Sequence, residues 1–195
     1  MWRDRAERLQ NLLGWLTLAT TLVVAAVTGL LLLLDMASMK GYPVSGRIGV
    51  LRYELNLWGS GIDAPPLDSL RPLGFILAVM DILLVAMVAY SVRAINYYEH
   101  IISGVSAGSA SAVVAALSHS ITRVMYDYIA SLPLGGVIHT SAGDLYLPGS
   151  SIHWGLPVKL YLHGLYFILA VVSLATALAL GLTYFYAELN LNARG

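Results

Sequence analysis

The chain has 195 residues, of which 58% are hydrophobic and 11% charged, and its mean hydropathy is +0.74. A soluble domain of this length does not carry that composition; several bilayer-length apolar runs do. Eleven basic residues balance eleven acidic ones, which leaves no electrostatic footing for nucleic acid. There is no cysteine, which excludes disulfides, thiol chemistry and Cys-based metal sites.

In chain order, residues 12–34, "LLGWLTLATTLVVAAVTGLLLLL", carry no charge. As a helix they cover about 34 Å, enough for the hydrocarbon core. Arg3, Arg5 and Arg8 precede them, no small-residue cleavage site follows, and the run is read as a retained span. Residues 36–71 form a long loop containing "GRIGVLRYELNLWG" (46–59), a strand-like section with Ile48, Val50, Arg52, Glu54 and Asn56 on one parity and Leu51, Tyr53, Leu55 and Leu57 on the other. The second span is 72–92, with Pro72 placed to open it and Asp81 near its middle. "RAINYYEH" (93–100) reads as a tight turn.

The third span starts at 101 and runs to about Leu132, where Pro133 and a pair of glycines stop it. A second long loop, 133–157, contains "GVIHTSAGDLYLPG", in which "SAGD" reads as a turn between two short strands. The fourth span is 158–187. The expected architecture is an all-α integral membrane protein of one domain: a four-transmembrane-helix bundle, with a small extracellular β-sheet built by the two long loops. Basic residues divide equally between the two sides, but Arg3, Arg5 and Arg8 lie tight against the first span, which usually sets orientation. Both termini are therefore expected to be cytoplasmic, in the cell membrane, with both long loops outside.

Two ridges of small residues mark the third span. Gly104, Gly108, Ala112, Ala116 and Ser120 are spaced by four, as are Ser103, Ala107, Ser111, Ala115 and His119. Lipid tails provide little hydrophobic drive to pair helices, so small residues that let backbones approach hold them together. The face can pack inside the bundle or against another subunit.

Polar residues within the spans have structural and functional readings. Asp81 is a lone mid-span acid, and such a group is expensive in lipid. Its candidate partners are His119, the hydroxyls of Thr17, Thr20, Thr21 or Ser111, or a residue on another subunit, in a structural hydrogen bond or in proton or ion handling. His119, Arg123 and Asp127 form an i, i+4 ladder; depth along the helix puts Arg123 and Asp127 at the interface and leaves only His119 deep. A bis-histidine haem b would draw on His119 and His163, yet helix counting places them about 10 Å apart in depth. Tyr161, His163 and Tyr166 could border a quinone, or form part of an interfacial belt. No cofactor is expected in the leading reading.

No HExxH, nucleophile elbow, phosphate loop or carboxylate pair is present, so no catalytic constellation assembles. "NLWGS" (56–60) follows the strand-like run of the first loop. With the four-span layout, its Leu57–Trp58 pair resembles the claudin-like tetraspan membrane proteins, in which a Gly-Leu-Trp element follows strands of the first extracellular loop. The likeness covers the whole chain as topology and two residues as motif. The two loop cysteines of that family and its earlier loop tryptophan are absent. It implies an outer sheet and lateral or cell–cell assembly. The expected function is thus non-enzymatic assembly: a scaffold, interaction protein or accessory subunit, touching membrane lipid and self-associating or joining other membrane subunits. Leu57, Trp58 and Trp154 would serve outer-loop recognition. The alternative is a haem- or quinone-associated redox or proton-handling subunit.

Overall fold

A long uncharged run removed from water has one economical backbone conformation, the helix, in which its amides bond within their own segment. The structure is a computed structural model and describes residues 2–42, 44–61, 63–94, 97–132, 136–140, 143–147 and 149–192. Four of its helices are α1 (Trp2–Leu33), α2 (Pro65–Arg93), α3 (Tyr97–Ala130) and α5 (Leu165–Asn192). Each includes a stretch long and apolar enough to cross a bilayer: Glu7–Leu33, Pro65–Arg93, Tyr98–Ala130 and Leu165–Leu189.

Three of the differences from the sequence reading have identifiable causes. Pro65 and Pro66, rather than Pro72, open α2, and Pro72 lies inside the helix. A proline costs little in the first turn, where its missing N–H has no partner anyway; here the turn is closed by Leu67 and Asp68, whose amides donate to the Ala64 carbonyl. The turn expected over 93–100 is shorter, because α3 already begins at Tyr97. The fourth span is broken. α4 (Leu156–Leu162) ends at His163 and Gly164 before α5 starts. Gly164 has φ +70° and donates its amide to the Tyr161 carbonyl, a left-handed glycine stop that a hydropathy reading passes over.

The chain packs as two compact units, Met1–Thr28 with Val79–Leu117 and Tyr166–Gly195, and Gly29–Ala78 with Ser118–Leu165. The first is helical. Leu18 of α1, Val88 of α2 and Ala107 of α3 are buried together, with Met87 packed against them. Its polar ties include Ser103 Oγ donating to Ser91 Oγ at 2.7 Å and Gln10 Nε2 donating to the Thr183 carbonyl at 3.0 Å.

The second unit carries the strands β1 (Ala37–Lys40), β2 (Val44–Ile48), β3 (Tyr53–Leu57), β4 (Ser60–Gly61), β5 (Gly136–Thr140), β6 (Gly143–Leu147) and β7 (Ser151–Trp154). An antiparallel five-stranded sheet has the order β4-β3-β2-β1-β7, so both long loops contribute to it. The expected strands around "SAGD" are β5 and β6, but they form a hairpin of their own; β7 is the strand that joins the first loop. The section 46–59 is a hairpin rather than one strand, reversing over residues 49–52, where the Gly49 amide donates to the Arg52 carbonyl. That reversal moves Ile48 to the same face as Tyr53 and Leu55, with Ala37, Met39 and Val44, which makes one apolar face.

Two glycines fix this sheet. Gly155 donates its amide to the Met36 carbonyl at 2.7 Å, and a β-carbon there would collide with the Asp35 carbonyl. Gly46 has φ +147°, and a β-carbon there would meet the Glu54 carbonyl across the β2–β3 ladder. Gly46→Ala should destabilise the protein by more than about 1 kcal/mol, since alanine is incompatible with both the conformation and the space. A thermal melt in detergent checks this; an unchanged midpoint would contradict the register.

Candidate functional site

The small-residue face of α3 packs closely against neighbouring helices. A β-carbon on Gly108 would lie 2.5 Å from Thr17 Cγ2 of α1 and 2.8 Å from Ala177 Cβ of α5; one on Gly104 would lie 3.1 Å from Leu180 Cδ2 of α5. Ser103, Ala107, Ser111, Ala112 and Ala115 are buried on the same side. The ridge Gly104–Gly108–Ala112 does not continue inward: Ala116 and Ser120 are exposed. A four-residue step overshoots a full helical turn by about 40°, so a strict i+4 row walks off any face after a few steps. The buried stripe mixes threes and fours instead, through Ser111, Ala115, Ser118, Thr122 and Met125.

The hydroxyls proposed as partners for Asp81 are spent locally. Thr17 donates to the Leu13 carbonyl, Thr20 and Thr21 to that of Thr17, and Ser111 to that of Gly108. Thr21 and Ser111 also meet at 3.4 Å, an α1–α3 contact. Asp81 is half-buried on α2, in register with Leu77, Leu84 and Val88, and no donor reaches its shielded Oδ1 among the described residues.

His119 is half-buried with its ring 5.0 Å from that of Tyr161 on α4. Tyr126 extends this group, 6.0 Å from Tyr161 and 4.9 Å from Trp154. Trp154 is therefore occupied inside its own unit, and Tyr126 is a member that the sequence reading missed. Arg123 and Asp127 form an exposed pair at 4.0 Å, the surface ladder expected of them. His163 is exposed at the α4–α5 break, its Nδ1 2.7 Å from the Lys159 carbonyl. Among the described residues no cluster of three His, Asp or Glu side chains could hold a metal ion.

The sheet presents its own site. Leu57 and Ser60 pair across a two-residue turn in which Trp58 has φ 53° and Gly59 φ 81°. Both positive values belong to the primed turns that suit hairpins, but glycine and asparagine normally fill them. A tryptophan there is a backbone outlier costing about 1–3 kcal/mol. Its side chain is 54% exposed. Val44 pairs with Leu57, so the reversal between β1 and β2 lies at the same end of the sheet, where Tyr42 is 51% exposed. Tyr42 was also missed, though its place between Gly41 and Pro43 is a turn signal.

At the opposite end, Tyr53 donates its hydroxyl to Asp68 Oδ2 at 2.9 Å and accepts from the Ala64 amide at 3.0 Å. Arg71 lies 4.9 Å over the Tyr53 ring and 3.4 Å from Asp68. The Ala64 amide favours the phenolate, but desolvation and the Asp68 carboxylate outweigh it and hold the Tyr53 pKa above the ordinary phenol value. These contacts tie β3 to the start of α2. No protein-family model matches the chain, and no curated protein or solved structure is significantly similar to it.

Gly108→Leu should lower stability by at least about 1–3 kcal/mol, the usual cost of overpacking. Ala116→Leu on the exposed side of the same helix should stay within about 0.5 kcal/mol. Melting midpoints of the two variants in one detergent measure the contrast; equal effects would refute the packing assigned to α3.

Proposed function

We propose that the chain is a non-enzymatic four-span protein of the cell membrane that acts by assembly, with cytoplasmic termini and an extracellular sheet that recognises a second copy of itself. Helix length and apolarity support the membrane setting. The sheet drawn from both long loops supports the claudin-like layout suggested by Leu57 and Trp58. The cysteines of that family are absent, and backbone pairing of β7 with β1, with Gly155 locked against Asp35 and Met36, holds the second loop to the first instead.

The observation that carries the reading is Trp58. A large aromatic side chain is kept exposed in a conformation it disfavours, at a rim that also bears Tyr42. Local strain of this kind is retained where the surrounding structure uses the side chain, and buried tryptophan and tyrosine anchors dominate protein interfaces. The small residues of α3 serve packing within the helical unit, since Gly104 and Gly108 face helices of the same chain.

Trp58→Gly separates fold from function, because glycine relieves the left-handed backbone while removing the ring. The variant should melt no lower than the parent and self-associate at least tenfold more weakly, a loss of about 1.4 kcal/mol. Subunit counting by photobleaching in liposomes over a range of protein densities measures this. An unchanged distribution of oligomers would refute the assignment.

A further inference from the structure

A cleft of about 110 Å³ opens in the second unit beside the β2–β3 hairpin, lined by Asp35, Arg47, Arg52, Tyr53 and Glu54. Two guanidiniums and two carboxylates border one small space. The register sets Arg47 directly across from Glu54, a spacing at which opposite charges ordinarily pair. No ion pair joins these two exposed residues among the described residues. Arg52 meets Asp35 at 3.9 Å, the outer limit of an ion pair. The four charges therefore stand around the space rather than neutralising one another across it. Tyr53 gives the cleft a fixed wall, because its hydroxyl is bonded to Asp68 and the Ala64 amide.

The cleft lies where two apolar runs end. Asp35 directly follows the uncharged run 12–34, and Arg71, 4.9 Å over the Tyr53 ring, directly precedes the apolar run of α2. The reversal over residues 49–52 packs on that helix one turn further in: a β-carbon on Gly74 would lie 2.9 Å from Val50 Cγ1 and 3.0 Å from Leu51 Cδ2.

We propose that this cleft binds a phosphate–ammonium zwitterion, the headgroup of an ethanolamine phospholipid, with the phosphate on Arg47 and Arg52 and the ammonium on Asp35 and Glu54. The inference rests on the membrane reading above, which puts these ends of α1 and α2, and the cleft beside them, at headgroup depth. The mixed lining selects the class. A simple anion would meet two carboxylates, and a simple cation two guanidiniums. A ligand carrying both signs gains charge-assisted hydrogen bonds at each end and leaves no charge facing its like. The planar fork of arginine also matches the paired oxygens of a phosphate.

Native mass spectrometry of the full chain in detergent, titrated with phosphatidylethanolamine or phosphatidylglycerol, tests the site. The parent should bind the first lipid about tenfold more tightly, the worth of one charge-assisted contact. Glu54→Gln should reduce that preference, and Arg47→Gln should weaken binding of both lipids. Both positions are exposed, so neither substitution should disturb folding. Glycerophosphoethanolamine, the free headgroup, should displace the lipid only in large excess. Equal binding of the two lipids by the parent, a full preference in Glu54→Gln, or undiminished binding by Arg47→Gln would overturn the proposal. Displacement by the free headgroup at equal concentration would overturn the lipid as its source. Alkaline carbonate extraction of membranes carrying the protein separates the two readings. Release of the protein into the soluble fraction refutes the membrane setting itself, whereas retention without headgroup preference refutes only the cleft.

Discussion

The helical unit depends on how closely α3 lets α1 and α5 approach. At Gly108 there is no room for a β-carbon, and Thr17 and Ala177 occupy the space from two sides. In the bilayer proposed for it, apolar side chains gain little by leaving lipid for protein, so van der Waals contact at short range has to hold the helices. Small residues are therefore an attractive element in this chain and not merely a tolerated one. The hydroxyls interspersed among them do not disturb this, because Thr17, Thr21 and Ser111 return their hydrogens to backbone carbonyls of their own helices.

The sheet solves a different problem. Short loop strands cannot stand alone, and a stable sheet needs several strands and an apolar face. β1 to β4 supply four strands from one loop, β7 adds a fifth from the other, and Ala37, Met39, Val44, Ile48 and Leu55 supply the buried face. Tyr126, Tyr161 and Trp154 pack on one another within this unit, whereas Trp58 and Tyr42 are exposed at the end of the sheet that holds the β1–β2 and β3–β4 reversals. An exposed, strained aromatic at the end of this sheet is what supports the recognition role proposed for it.

Much of this was legible in the sequence because the signals are collective. Four apolar runs, two long loops and one short connection announce the helix order, and alternation with turn residues announces strands. What was not legible depends on single backbone positions. Gly164 splits the fourth span through one left-handed residue, which hydropathy cannot register. Pro72 looked like a helix start, but Pro65 and Pro66 were better placed to be one, being preceded by the Ala64 carbonyl that closes the first turn. The i+4 row on α3 overstated its own length because helical drift turns Ala116 outward. Trp58 and Trp154 read alike in sequence; only the pairing of β7 with β1 shows that one is packed on Tyr126 and the other is exposed.

In the proposed setting, the two long loops meet in one sheet on one side of a membrane that the helices cross. The chain has no cysteine, so single cysteines can be placed without background. The decisive measurement is labelling of Tyr42→Cys, Ser150→Cys and Tyr98→Cys in intact cells with a membrane-impermeant maleimide. Tyr42→Cys and Ser150→Cys should both be labelled from outside, and Tyr98→Cys, in the short α2–α3 connection region, only after permeabilisation. Labelling of the first two from opposite sides, or of all three from the same side, would contradict it.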